Sequence, residues 1–184
     1  MKKSLSNENR FIIVLLFIVF VVYLSAAIIL PFGSAPDESL RYDIVNFITK
    51  FRQLPVAGDP RLLYGDYGST YAATPILSYM VSAFFCFIAQ ALKLPVELYI
   101  VSRLVSVLAG VVTVYFVFLS ARKMFPTSPA RYFAPIFLAF IPQFTFINAY
   151  TNQDSFMIML SSIMIYLWIR GLETNWSYRV VVFI

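Results

Sequence analysis

Apolar positions run almost unbroken over 11–30 and again over about 98–119, 132–150 and 155–169, and each run is flanked by polar or basic residues. A helix needs ~20 apolar residues to cross a hydrocarbon layer. The pattern therefore predicts about four transmembrane helices at those positions. Between the first two runs the pattern changes. Residues 31–97 are more polar, are punctuated by proline and glycine, and read as one long loop carrying two helices. Ser34, Pro36, Asp37 and Glu38 form a helix start, with a serine cap, an early proline and acids in the first turn. Leu40, Ile44, Phe47, Ile48 and Phe51 follow at helical spacing, while Arg41, Asp43, Asn46 and Lys50 fill much of the rest. This predicts an amphipathic helix over about 36–52, lying at the membrane surface. Gly58-Asp59-Pro60 and Tyr64-Gly65-Asp66-Tyr67-Gly68 are turn signals. Thr74-Pro75 then opens a helix over about 74–92.

Composition narrows the class. The 184 residues are 60% hydrophobic and 12% charged, with a mean hydropathy of +0.79. That excludes a soluble domain and points to an all-α polytopic membrane protein. Charge then sets the topology. If 74–92 stays in the interface, Arg122, Lys123, Arg131, Arg170 and Arg179 share a side with Lys2, Lys3 and Arg10, as the positive-inside rule asks. If 74–92 spans, those five fall outside. The first arrangement is preferred. It places the N-terminus in the cytoplasm and Asp37, Glu38 and Asp154 together on the external face.

No basic run exceeds two adjacent residues, which argues against a nucleic-acid partner. Cys86 is the only cysteine and histidine is absent. A disulfide within the chain and the usual zinc sites are thereby excluded. Oxygen-ligated cations such as magnesium, manganese or calcium remain. Residues 180–184 look like the beginning of a further span, so the chain reads as a single N-terminal portion of a longer protein, inactive by itself.

The candidate chemistry lies in the acids at the helix ends. Asp37 and Glu38 could simply complement a helix dipole, or could bind a metal or accept a proton from an attacking group. Asp154 and Asn152 could cap the last helix. They also belong to a polar stretch from Asn148 to Asp154 of the kind that lines a cavity. Tyr64, Tyr67 and Tyr71 fit an interfacial aromatic belt, or a platform for a sugar ring or lipid headgroup. Arg41, Arg61 and Arg103 are the external arginines best placed to hold a phosphate, with snorkelling as the plainer role for Arg103. Ser78, Ser82, Cys86 and Gln90 form a packing stripe.

Four segments together carry a family resemblance: Pro36-Asp37-Glu38; Tyr71-Ala72-Ala73-Thr74-Pro75-Ile76-Leu77-Ser78-Tyr79; Arg103 to Gly110 with Ala121-Arg122-Lys123-Met124-Phe125; and Ile141-Pro142-Gln143-Phe144 through Asn152-Gln153-Asp154. In this order the chain resembles the N-terminal part of GT-C membrane glycosyltransferases, nearest the bacterial aminoarabinose lipid A transferase and protein O-mannosyltransferase group. The resemblance implies an integral protein of the bacterial inner or plasma membrane. It also implies transfer of a sugar from a polyprenyl-phosphate donor, on the external leaflet, to a glycan, lipid or protein acceptor. Asp37 would be the first-loop catalytic carboxylate, Asp154 the second acid and Glu38 a helper, with a divalent metal (magnesium or manganese) on Asp37 and Asp154. Two departures stand out: Ala73 and Thr74 occupy positions where relatives often carry an acid and a base, and Arg41 stands where some have histidine. The rival readings are a transporter or flippase fragment that binds a lipid-linked substrate, and a structural membrane subunit. A transporter should place ionisable groups near mid-membrane in paired halves, whereas these acids sit at helix ends.

Overall fold

A computed structural model describes residues 2–62 and 70–176 of the chain, and the regular elements described are all helical. They are α1 (Lys2–Ile29), α2 (Glu38–Phe51), a 3-10 turn (Tyr71–Ala73), α3 (Leu77–Ala91), α4 (Leu98–Met124), α5 (Ala130–Ala139), α6 (Pro142–Ile147) and α7 (Asp154–Glu173). Among the described residues, three stretches are long and apolar enough to cross a membrane: Asn7–Ile29, Leu98–Met124 and Asp154–Glu173. Large apolar side chains on α1, α5 and α7, among them Phe17, Ile29, Phe137 and Trp168, point away from the protein. Hydrocarbon rather than water is the solvent that such a surface fits.

The run expected as one helix over 132–150 is two. Pro142 has no N–H to donate back to Leu138, so the chain turns at Phe140 and Ile141 and α6 restarts with Pro142 in its first turn. Backbone freed at such a break must find partners when no water is at hand. Here the Ala139 carbonyl accepts from the Tyr23 phenol at 2.8 Å and from Thr145 Oγ1 at 3.3 Å. The start of α2 also differs from the sequence expectation. Ser34 does not cap it; its hydroxyl donates to the Pro31 carbonyl at 2.7 Å. Asp37 takes the N-cap position in the left-handed region, with φ 56°.

Helix α4 is the central element, packed against α1, α3, α5 and α7. Its Val107, Val114, Phe118 and Leu119 meet Ile12, Leu15, Val19, Tyr23 and Ala27 of α1 in the main core. Gly110 permits the closest approach: a Cβ there would lie 2.5 Å from the Asn148 side chain and 2.7 Å from the Tyr23 ring. A second core docks α2 on α3 through Ile44, Val45 and Phe47 against Tyr79, Ala83 and Cys86.

Charged residues gather toward the two ends of the bundle. At one end Glu8 pairs with Arg131 at 3.2 Å and Lys123 with Glu173. The other end brings together the last turn of α1, the start of α2, the start of α4 and the 148–154 turn, and it holds the sequence-predicted acids.

Candidate active site

The acids at this end divide into a closed pair and an open cluster. Glu38 and Arg103 form the closed pair, and neither side chain is exposed. Arg103 Nε donates to Glu38 Oε1 at 2.6 Å and Nη2 donates to Oε2 at 2.7 Å, a forked arrangement. Nη1 donates to the carbonyls of Ala27 at 2.6 Å and Leu30 at 2.7 Å, and Nη2 reaches the Pro31 carbonyl at 3.4 Å. A guanidinium has five N–H donors, and this one has a partner for each. The carbonyls at the end of α1 would otherwise be orphans of a helix C-terminus, where a cation is favoured. Glu38 also accepts from the backbone N–H of Gly33 at 3.0 Å and of Thr151 at 3.2 Å. The pair therefore ties α1, the 31–38 loop, α4 and the 148–154 turn into one unit.

This geometry corrects two sequence expectations. Arg103 neither snorkels nor offers a donor to a phosphate, because burial and five internal bonds commit it to the fold. Glu38 does not reach a substrate either; its oxygens are consumed by Arg103 and by backbone.

Asp37 faces the other way. Its carboxylate is exposed and accepts from the Tyr71 phenol at 2.7 Å. The guanidinium of Arg41, one turn along α2, sits 5.3 Å from the centre of the Tyr71 ring. Arg41 Nη1 in turn donates to Asp154 Oδ2 at 3.2 Å, across 113 residues of sequence. Asp37, Tyr71, Arg41 and Asp154 thus form a continuous chain of contacts that joins the starts of α2 and α7. Two carboxylates against one guanidinium leave this cluster with a net negative charge. The Asp37 carboxylate holds the Tyr71 phenol above the usual tyrosine range, and partial burial adds to the effect.

The remaining predicted residues are placed differently. Asn152 is buried and structural: its Nδ2 donates to the carbonyls of Ile147 at 2.6 Å and Tyr150 at 2.8 Å, and its Oδ1 accepts from Ser155 N at 2.9 Å. It shapes the turn that delivers Asp154, while Gln153 takes the N-cap position of α7 without a side-chain cap bond. Arg61 grips Asp59 with Nε and Nη2 at 2.9 and 2.6 Å and stacks 4.7 Å from the Phe47 ring centre, outside the contact chain described above. These bonds pull the Asp59 carboxyl down to about 2. Tyr64 and Tyr67 lie outside the described residues.

A divalent cation on Asp37 and Asp154 fits this arrangement poorly. Each already lends an oxygen, to Tyr71 and to Arg41 respectively. Among the described residues no group of three or more cysteine, aspartate or glutamate side chains converges as metal ligands.

The pattern of polar residues did not single out Tyr79 or the Ser102–Thr151 contact. Ser102 Oγ and Thr151 Oγ1 lie 2.9 Å apart and fasten the 148–154 turn to α4. Tyr79 is wholly buried at the α2–α3 junction. In sequence it closes the 71–79 segment of the family resemblance and has no role assigned to it.

Fold and site together define a polytopic helical membrane protein in which Asp37, Glu38 and Asp154 meet at one end of the bundle. Residues 73–184 match the model of the dolichyl-phosphate-mannose-protein mannosyltransferase family, and the chain belongs to that family. At family level this is a membrane glycosyltransferase that uses a sugar linked to a polyprenyl phosphate. The matched segment contains Tyr79, Arg103, Asn152 and Asp154; Asp37, Glu38 and Arg41 precede it. Searches of curated proteins and of solved structures gave no match.

Proposed function

We propose that the Asp37–Tyr71–Arg41–Asp154 cluster is the acidic half of a glycosyl-transfer site. It would move a sugar from a polyprenyl-phosphate donor to an acceptor on the external leaflet. The observation that carries this reading is the joining of Asp37 to Asp154 through Tyr71 and Arg41, from opposite ends of the sequence. In the step envisaged, an acceptor hydroxyl attacks the anomeric carbon of the sugar. The bond from that carbon to the phosphate oxygen breaks, and polyprenyl phosphate leaves with the electron pair. The acceptor proton passes to Asp37, whose exposed carboxylate is the group best able to take it. Asp154, held by Arg41, orients the acceptor or the sugar. The Glu38–Arg103 pair fixes the backbone of Asp37 from behind and acts through that position.

Asp37→Asn tests the assignment. Asn keeps the size and the capping capacity of Asp but cannot accept the proton. Release of polyprenyl phosphate is expected to fall by roughly 10²- to 10⁴-fold, with expression unchanged. Undiminished release would overturn the role given to Asp37.

A further inference from the structure

We propose that Tyr79 of α3 is a sugar-binding residue, and that the cluster beside it receives the neutral ring of the donor rather than its phosphate; this rests on the glycosyl-transfer reading above. Tyr79 is 0% exposed, and its hydroxyl has no hydrogen-bond partner among the described residues. A buried tyrosine hydroxyl normally finds one. Packing alone does not call for it, because the ring sits among Ile44, Val45, Phe47, Ala83 and Cys86, where phenylalanine would fill the same space. Ile44 and Val45 lie three and four residues beyond Arg41, on the same face of α2. The phenol accordingly lies within electrostatic range of Arg41, Asp154, Tyr71 and Tyr150.

Two further buried polar atoms lack partners among the described residues: Nε of Arg41, a member of the cluster, and Oε1 of Gln153, the residue before Asp154. Arg41 Nε–H is a donor, Gln153 Oε1 an acceptor, and the Tyr79 hydroxyl can be either. A phosphate, which only accepts, would meet two carboxylates and a guanidinium already shared with Asp154. Arg61 and Arg103 are likewise engaged by Asp59 and Glu38. Sugar hydroxyls donate and accept, carry no charge, and suit both the mixed set of unpartnered atoms and the negative balance of the cluster.

The experiment compares two probes on the protein in lipid nanodiscs: farnesyl phosphate, and the same lipid phosphate carrying mannose. Wild type is expected to bind the mannosylated probe more tightly. Tyr79→Phe is expected to weaken that probe by roughly three- to tenfold, the worth of one neutral hydrogen bond, and to leave farnesyl phosphate unaffected. Its ligand-free Tm should stay level or rise, because an unpartnered buried hydroxyl has been removed. Equal binding of the mannosylated probe by wild type and Tyr79→Phe would overturn the inference while leaving the catalytic reading of Asp37 intact. Equal loss for both probes, or a lowered ligand-free Tm, would also overturn it, by assigning the hydroxyl to the phosphate or to the fold. A wild type that does not distinguish the probes would refute both the sugar subsite and the donor reading on which it rests.

Discussion

The Glu38 and Arg103 side chains are fully buried and their polar atoms all have protein partners; around Asp37, Arg41 and Asp154 the carboxylates are partly open and donors and acceptors such as Arg41 Nε are left over among the described residues. Asp37 and Glu38 are adjacent in the chain, so the contrast owes nothing to local composition. Asp37 adopts the left-handed backbone, which Asp tolerates better than most residues, and the two acids on either side of that kink end in opposite surroundings. The closed pair fastens four segments together. The open cluster keeps unspent hydrogen-bonding capacity, as a site must if it is to bind and release a ligand.

The contrast can be broken most forcefully at Glu38. Glu38→Ala leaves the Arg103 guanidinium buried without its counter-ion, which should cost about 3–5 kcal/mol. The expected result is a large fall in Tm in detergent or nanodiscs, with poor accumulation in membranes. A Tm near wild type would mean that water or another carboxylate reaches Arg103, and the division into closed pair and open cluster would fail. The same measurement on Asp37→Asn should show a change within about 0.5 kcal/mol, as for other partly exposed polar sites. Near-equal losses at positions 37 and 38 would erase the contrast.

A finer test is the Arg41–Asp154 link. Asp154 is 44% exposed, against 11% for Arg41. A double-mutant cycle with Arg41→Gln and Asp154→Asn should give a coupling below about 1 kcal/mol, the range for pairs that water reaches. A coupling of several kcal/mol would place this pair in the same physical class as Glu38–Arg103. The smallest expected effect concerns Tyr71, whose phenol is held above its ordinary value by the Asp37 carboxylate. Its contribution to stability is complete below the unfolded tyrosine value of ~10 and is lost as pH rises through the higher folded value. In Asp37→Asn the Tyr71 titration, followed by ultraviolet absorbance or NMR, should move back toward the ordinary range.

Much of the helical layout was legible from the apolar runs. Three of the four runs read as spans coincide with helices long enough to cross a bilayer, and the amphipathic stretch near 36–52 is α2. Burial of one helical face and satisfaction of backbone hydrogen bonds impose a period that survives in the sequence. Pro142 was visible in the sequence, but whether the chain bends or restarts there depends on whether neighbours can serve the freed carbonyls. Tyr23 and Thr145 serve the Ala139 carbonyl, and the first of them is distant in the chain. Site residues were legible as residue types, and their roles were not. Asp37 and Asp154 stood out because acids are rare in so apolar a chain. Glu38 stood out for the same reason and turned out to be structural.

The amino-acid sequence by itself determined that this protein is built of membrane helices, where most of them begin and end, and that acids occur at particular helix ends. Those properties follow from local periodicity and from the cost of apolar and charged groups in the wrong solvent. Only the tertiary structure decided which acid is closed and which is open, which arginine belongs to the fold, and that the Tyr79 hydroxyl is buried without a partner among the described residues. Those outcomes depend on the dielectric surroundings and hydrogen-bond partners of each side chain. Such partners come from residues far along the chain, as Arg103 does for Glu38 and Asp154 for Arg41, and no local pattern records them.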